Sequence, residues 1–239
     1  MFDVPPTILP RVWTLENYIF LLKATKFILY FRNSLIVCLS ASLVAIVIAI
    51  VGVYSLSRFK FRFSGLIGFS ILFSYMLPQI MIIIPFTRML VTINATNSIL
   101  SLAFVFISIT LPFALWMLRS YIETIPRELE EAAMVDGASR FKAFIKIIIP
   151  AALPGLMATL IFTFIVSWNE YVYSLILISS ETKKTVSLGL GLLARGQEAI
   201  FSYGMLAAGS VLAVIPLLVM FVFVQRRLVS GFTAGAMKG

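Results

Sequence analysis

Five long runs without a charged side chain dominate the chain. Residues 33–57 and 63–87 are 25 residues each, 89–118 is 30, 147–169 is 23 and 199–225 is 27. The third run opens on polar Asn94-Ala95-Thr96-Asn97-Ser98, so its apolar part begins near Ile99. The fourth resumes after Glu170 and continues to Ile178. About 20 apolar residues cross the hydrocarbon core of a bilayer as a helix. The pattern therefore predicts five membrane helices, near 34–57, 64–90, 99–120, 152–178 and 204–226. A membrane barrel needs alternating polar and apolar residues, and these runs are continuous. The first 30 residues make no span. The stretch from Trp13 to Phe31 is apolar but interrupted by Lys23 and Lys26, which suits an interfacial segment outside the cytoplasm. Asp3, Pro5, Pro6 and Pro10 stand where a signal peptide has a basic start and an apolar middle.

Composition narrows the class. The chain is 61% hydrophobic and 12% charged, with a mean hydropathy of +1.05, against about 45–50% and about 25% for a soluble domain. There is no His and one Cys, Cys38, which removes His-based catalysis, the usual zinc sites and disulfide frameworks. The expectation is an all-α integral membrane protein, a polytopic helix bundle with no metal site. A net charge of +9 would suggest nucleic acid in a soluble protein. Here the charges must sit in loops, where they set topology, and no nucleic acid is expected.

Lys and Arg alternate unevenly between loops. One side holds Arg58, Lys60, Arg62, Arg119, Arg127, Arg140, Lys142, Lys146, Arg226, Arg227 and Lys238. The other holds Arg11, Lys23, Lys26, Arg32, Arg88, Lys183, Lys184 and Arg195. The excess places loop 121–150 and the tail 227–239 in the cytoplasm and the N-terminus outside. An outside N-terminus without a signal points to a first span missing from this chain. Arg58, Lys60 and Arg62 are expected to act as positive-inside anchors.

Loop 121–150 has helical signals of its own. Thr124 can cap a helix whose first turn holds Pro126. Glu128, Glu130 and Glu131 then lie near its positive end. Gly137 is the natural stop. A second helical stretch carries Phe141, Ile145 and Ile148 at helical spacing, with Lys142 and Lys146 at i, i+4. The prediction is two short helices joined at a glycine, an L-shaped knob. Spacing alone leaves open a merely solvated charged loop.

Glu131-Ala132-Ala133, three residues, Gly137, nine residues, then Ile147-Ile148-Ile149-Pro150 resembles the EAA signature of ABC importer permeases, with Ile149 where Leu is usual. Asn33-Ser34-Leu35, the run Ser167-Trp168-Asn169-Glu170-Tyr171 and the ending Gly231-Phe232-Thr233-Ala234-Gly235-Ala236-Met237-Lys238-Gly239 resemble the carbohydrate branch of that family, as in maltose permeases. The resemblance implies a type I importer transmembrane domain over residues 31–226 in the cytoplasmic (inner) membrane of a prokaryote. Such members usually have six spans, one more than the five found here. It implies as partners a cytoplasmic ABC ATPase dimer, a second homologous permease, an extracytoplasmic solute-binding protein and membrane lipid. It implies that Glu131 pairs with an ATPase cation, that Ala132 and Ala133 allow close approach, that Gly137 makes the turn and that Asp136 braces it. Ile147, Ile149 and Pro150 complete the coupling element. The chain has no phosphate-cradling glycine-lysine loop, and Gly189-Leu190-Gly191 is too short to be one. ATP and Mg are thus expected on the partner, with no cofactor on this chain and no enzyme activity of its own.

Polar groups within spans are candidates for the solute path. Glu170 with Asn169, flanked by Trp168 and Tyr171, is the first. An interfacial aromatic belt explains the same residues. Gln79 beside Pro78, with Pro85 further on, marks a broken helix or a packing kink. Outer loops 91–98 and 179–203, with Lys183, Lys184 and Arg195, are candidate contacts for a binding protein. The same fold could import a sugar phosphate, a polyamine or another polar solute. A secondary carrier or channel would have no knob, and a membrane-embedded enzyme would need more carboxylates at membrane depth than Glu170.

Overall fold

The computed structural model describes residues 13–59, 62, 64–195 and 199–236. Arg11, Lys60, Lys238 and the side chains of Arg226 and Arg227, all used in the charge count, lie outside the described residues, as do the side chains of the 231–239 ending.

Every regular element among the described residues is helical. α1 (Glu16–Ala24) precedes α2 (Phe27–Arg58), which spans the bundle. α3 (Ser64–Met76) and α4 (Gln79–Thr92) follow, then α5 (Ile99–Ile122). The knob region holds α6 (Arg127–Val135), α7 (Arg140–Ala143), a π-helical turn (Phe144–Ile148) and α8 (Ile149–Ala151). α9 (Leu153–Asn169), α10 (Val172–Leu177), a 3₁₀ turn (Glu181–Lys183), α11 (Val186–Leu193) and α12 (Ala199–Ala236) complete the chain. Three helices are long and apolar enough to cross a membrane, and five spans result if each bent pair counts as one. The bent pairs are α3 with α4 and the limb Arg140–Ala151 with α9, so the predicted runs overlap α2, α3–α4, α5, α9 and the middle of α12.

One span bends sharply and another starts earlier than the charge pattern predicts. α3 and α4 meet at 97° across Leu77 and Pro78. Proline lacks the N–H that would continue the helix, and the residue before it is steered from helical geometry. α2 starts at Phe27, seven residues before the predicted 34. Arg32 was the reason for the later start, yet it is exposed at the helix end, where a long cationic side chain can reach water. Thr25 separates α1 from α2: its hydroxyl donates to Leu21 O at 2.7 Å and accepts from Phe27 N–H at 3.2 Å.

α2 packs chiefly on α5 and α9. Its buried stripe carries Val37, Ala41, Ala45, Ala49 and Val53 at helical spacing. Apolar area gives little drive between helices in lipid, so close backbone approach over small residues matters more. Opposite lie Leu102, Phe106, Thr110, Ala114 and Leu118 of α5, four residues apart. Near one end Ile122, Ile125, Phe144, Ile148 and Ala152 extend this core under the knob.

Candidate functional site

Residues 123–152 form an elbow between α5 and α9. α6 ends in a glycine-closed turn: Gly137 N–H donates to Met134 O at 3.1 Å and Ala138 N–H to Ala133 O at 2.9 Å, with Gly137 at φ +83°. This pairing satisfies the last carbonyls of a helix and needs positive φ at the glycine. Ser139 opens α7, its hydroxyl accepting from Lys142 N–H at 3.3 Å. Glu131, Ala132, Asp136 and Gly137 are exposed and Ala133 is half-buried. Val135 and Phe141, at 88% and 72% exposure, add apolar surface to the elbow. Asp136 enters the turn through its backbone N–H, which donates to Ala132 O at 3.0 Å. Ile147 and Ile149 are half-buried and Pro150 is exposed.

Two local expectations are corrected and a third is extended. Thr124 does not cap α6: its hydroxyl donates to Tyr121 O at 2.7 Å, and Pro126 occupies the cap position. The apolar face of the second limb is not Phe141–Ile145–Ile148. The π-helical turn adds a residue to the repeat, so Phe144 and Ile148 are buried while Phe141 and Ile145 face out. Arg58, expected as a positive-inside anchor, also has an internal partner: its side chain is 6% exposed and lies against Glu130, also 6% exposed. Arg58 Nε stands 3.2 Å from Glu130 Oε2 without the alignment of a hydrogen bond, while Nη2 donates to Ile125 O at 2.9 Å. Tyr54 OH donates to Glu130 Oε1.

The predicted path residues have distinct local surroundings. Trp168 is buried, its Nε1–H donating to Ala213 O at 3.1 Å and its ring stacked on Phe164 at 5.4 Å. Asn169 is exposed and donates to Ile165 O at 2.9 Å. Glu170 ends α9 in extended geometry and opens α10: its carboxylate accepts from Val172 N–H at 2.9 Å, Tyr173 N–H at 3.1 Å and Ser174 N–H at 3.3 Å. The acidic interruption thus supplies a cap where a span breaks. Tyr171 is half-buried with Arg195 5.7 Å above its ring. Gln79 is exposed, and its carbonyl accepts from Tyr173 OH at 3.1 Å across the two broken spans. A cavity of about 430 Å³ is lined by Ile83, Thr87, Arg88 and Ile176, among others, and by none of these five side chains.

At the end opposite the elbow the two predicted outer loops are joined. Asn97 Nδ2 donates to Ser180 Oγ at 2.6 Å, and Lys183 Nζ donates to Asn97 O at 2.7 Å. Lys184 pairs with Glu181, which also accepts from Tyr30 OH. Both lysines are half-buried with internal partners.

A family model described as the binding-protein-dependent transport system inner membrane component matches residues 41–233. The chain belongs to this family. Three relatives illustrate its reach. The permease is 36% identical over 98% of its length to the inner membrane ABC transporter permease protein YcjP of Escherichia coli K12, covering 84% of that protein. It is 36% identical over 95% of its length to the trehalose/maltose transport system permease protein MalG of Thermococcus litoralis, covering 82%. It is 37% identical over 98% of its length to the diacetylchitobiose uptake system permease protein DasC of Streptomyces coelicolor, covering 84%. In fold it matches a chain of a bacterial ABC transporter that imports the polysaccharide alginate, with a TM-score of 0.80 at 23% identity, over 93% of this chain and 84% of that one.

This permease is therefore a multi-pass inner-membrane transport subunit. Sequence reasoning missed the buried partnership of Arg58, Glu130 and Tyr54. Glu130 did carry a signal, since its neighbour Glu131 faces out and a helix turns about 100° per residue. Arg58 carried none, because its partner is far away in sequence.

Proposed function

We propose that this permease forms half of the import path for a sugar or oligosaccharide and receives mechanical work through the elbow at residues 124–150. A separate cytoplasmic ATPase dimer binds ATP and Mg, a second permease completes the path, and an extracytoplasmic binding protein delivers the solute. The reading of a saccharide rests on relatives named for trehalose/maltose and diacetylchitobiose.

The observation that carries the coupling role is the projecting, glycine-closed turn. Glu131, Val135, Gly137 and Phe141 stand exposed on a support whose own core is closed by Phe144 and Ile148. Glu131 offers a carboxylate for a charge-assisted contact with an ATPase cation. Ala132 and Ala133 keep that surface low, and Asp136 flanks the turn. Ile147, Ile149 and Pro150 carry the limb back to α9. A carrier or channel has no use for such a support.

The test is capture of the ATPase by the assembled permease pair, with uptake into proteoliposomes of labelled disaccharides. Gly137→Val forces a β-branched residue into left-handed geometry, costing about 1–2 kcal/mol, equivalent to about 5- to 30-fold in binding if the bound turn must keep that geometry. Glu131→Lys reverses the charge. Both are expected to lose ATPase capture and uptake, whereas Gly137→Asn, which tolerates positive φ, retains them. Intact capture in both losing variants overturns the coupling role. Uptake of a polyamine or sugar phosphate and of no saccharide in the panel overturns the solute class.

A further inference from the structure

The first limb of the elbow, residues 125–135, is fastened by its side chains to α2, beyond the local ties of Glu123 and Thr124 to Arg119 and Tyr121 of α5. Among the described residues, the side-chain hydrogen bonds and ion pairs found between residues 125–135 and a spanning helix end on the last five residues of α2, Tyr54 to Arg58. Arg58 reaches Glu130 and Ile125 O, Tyr54 OH donates to Glu130, and Arg127 Nη2 donates to Ser57 O at 2.7 Å. The two arginines cross: each leaves its own segment to serve a carbonyl of the other. Ser57 O belongs to the carbonyl end of α2, where cations are favoured. Once buried, the Arg58–Glu130 pair is far costlier to separate than to keep, because separation leaves an uncompensated charge away from water.

The far end of α2 is tied as well. Asn33 Nδ2 donates to Thr182 O at 2.9 Å and to Lys184 O at 3.0 Å, and Val186 N–H donates to Ser34 Oγ at 2.7 Å. One continuous helix thus joins the elbow to segment 181–186 at the other end.

We propose that Arg58 and Glu130, supported by Tyr54, are positioning residues for transport: they latch the elbow to α2, so that elbow movement is carried along α2 to segment 181–186. This rests on the coupling role proposed above. Without the latch the ATPase still docks and burns ATP, but its stroke is absorbed between α6 and α2.

The experiment uses the reconstituted complex of both permeases, the ATPase dimer and the binding protein, and reads solute accumulated per ATP hydrolysed. Glu130→Gln keeps the shape and an acceptor for Tyr54 but removes the charge. ATPase capture is expected to stay within about two-fold while solute per ATP falls about ten-fold. In a Cys38→Ser background, Ser57→Cys and Arg127→Cys joined by a bifunctional maleimide should restore the ratio in the Glu130→Gln protein. A purely structural role predicts instead that capture, hydrolysis and uptake fall together, with the ratio unchanged. An unchanged ratio, or a loss that the cross-link does not repair, overturns the latch. Should Glu130→Gln fail to assemble, the cross-linked form decides: restored assembly and ratio support the latch, and no restoration overturns it. Failure of the docking role is separately visible, as ATPase capture by Gly137→Val.

Discussion

Asn97 and Ser180 hold the two outer loops together by a reciprocal pair of hydrogen bonds: Asn97 Nδ2 donates to Ser180 Oγ at 2.6 Å, and Ser180 N–H donates to Asn97 Oδ1 at 3.0 Å. Asn97 can do this because its backbone lies at φ +51°, a region Asn tolerates better than most residues. The two contributions separate by substitution. Asn97→Gly keeps the backbone geometry and loses both side-chain bonds, at about 0.5–1.5 kcal/mol each. Asn97→Ala also strains the backbone, adding about 1–2 kcal/mol. Thermal unfolding in detergent should therefore rank wild type above Gly and Gly above Ala. Ala equal to or above Gly would remove the left-handed backbone from the explanation.

Glu170 is a candidate for the solute path, and its carboxylate also accepts from the first N–H groups of α10, acting as a cap from the residue before Tyr171. The two roles predict different pairs of results. As a cap, Glu170→Gln keeps a carbonyl oxygen for the N–H groups of Val172 and Tyr173 and should retain most uptake. Glu170→Ala leaves them unpaired and costs about 1–2 kcal/mol, read as a lower unfolding midpoint. Loss of uptake in Glu170→Gln at unchanged stability would return this carboxylate to the solute path.

The spans were legible because lipid offers no alternative partner to backbone polar groups, so a long apolar run must be helical. Gly137 was legible for a similar reason: few residues other than glycine take its conformation cheaply. What stayed hidden depends on distant partners or on backbone register. Arg58 reads as a topology charge, and nothing in its own neighbourhood points to Glu130, more than seventy positions away, which lies beside it. Asn97 and Ser180 are likewise joined across more than eighty positions. The buried face of the second limb was misassigned because one π-helical turn at Phe144–Ile148 shifts the repeat, and apolar spacing does not announce such a turn. Glu170 stood out correctly as an interruption, but only the bend after α9 reveals which N–H groups it serves.

The last prediction concerns how α5 and α9 meet beside the elbow. A Cβ at Gly155 would lie 2.5 Å from Tyr121 Cγ and under 3.0 Å from both Cδ atoms, against the body of the ring rather than a mobile tip. Tyr121 belongs to the last turn of α5 and Gly155 to the first turn of α9. Their contact therefore fixes the separation of the two helices from which the elbow springs. Gly155→Ala should cost about 1–3 kcal/mol through overpacking. Tyr121→Ala removes the obstacle at the expense of buried ring surface. If the clash is the cause, the double variant is less unstable than the sum of the singles by about 0.5–3 kcal/mol. Denaturant unfolding of the four proteins measures this directly. Strict additivity would mean that the two residues act independently and that something other than the ring sets the spacing of α5 and α9.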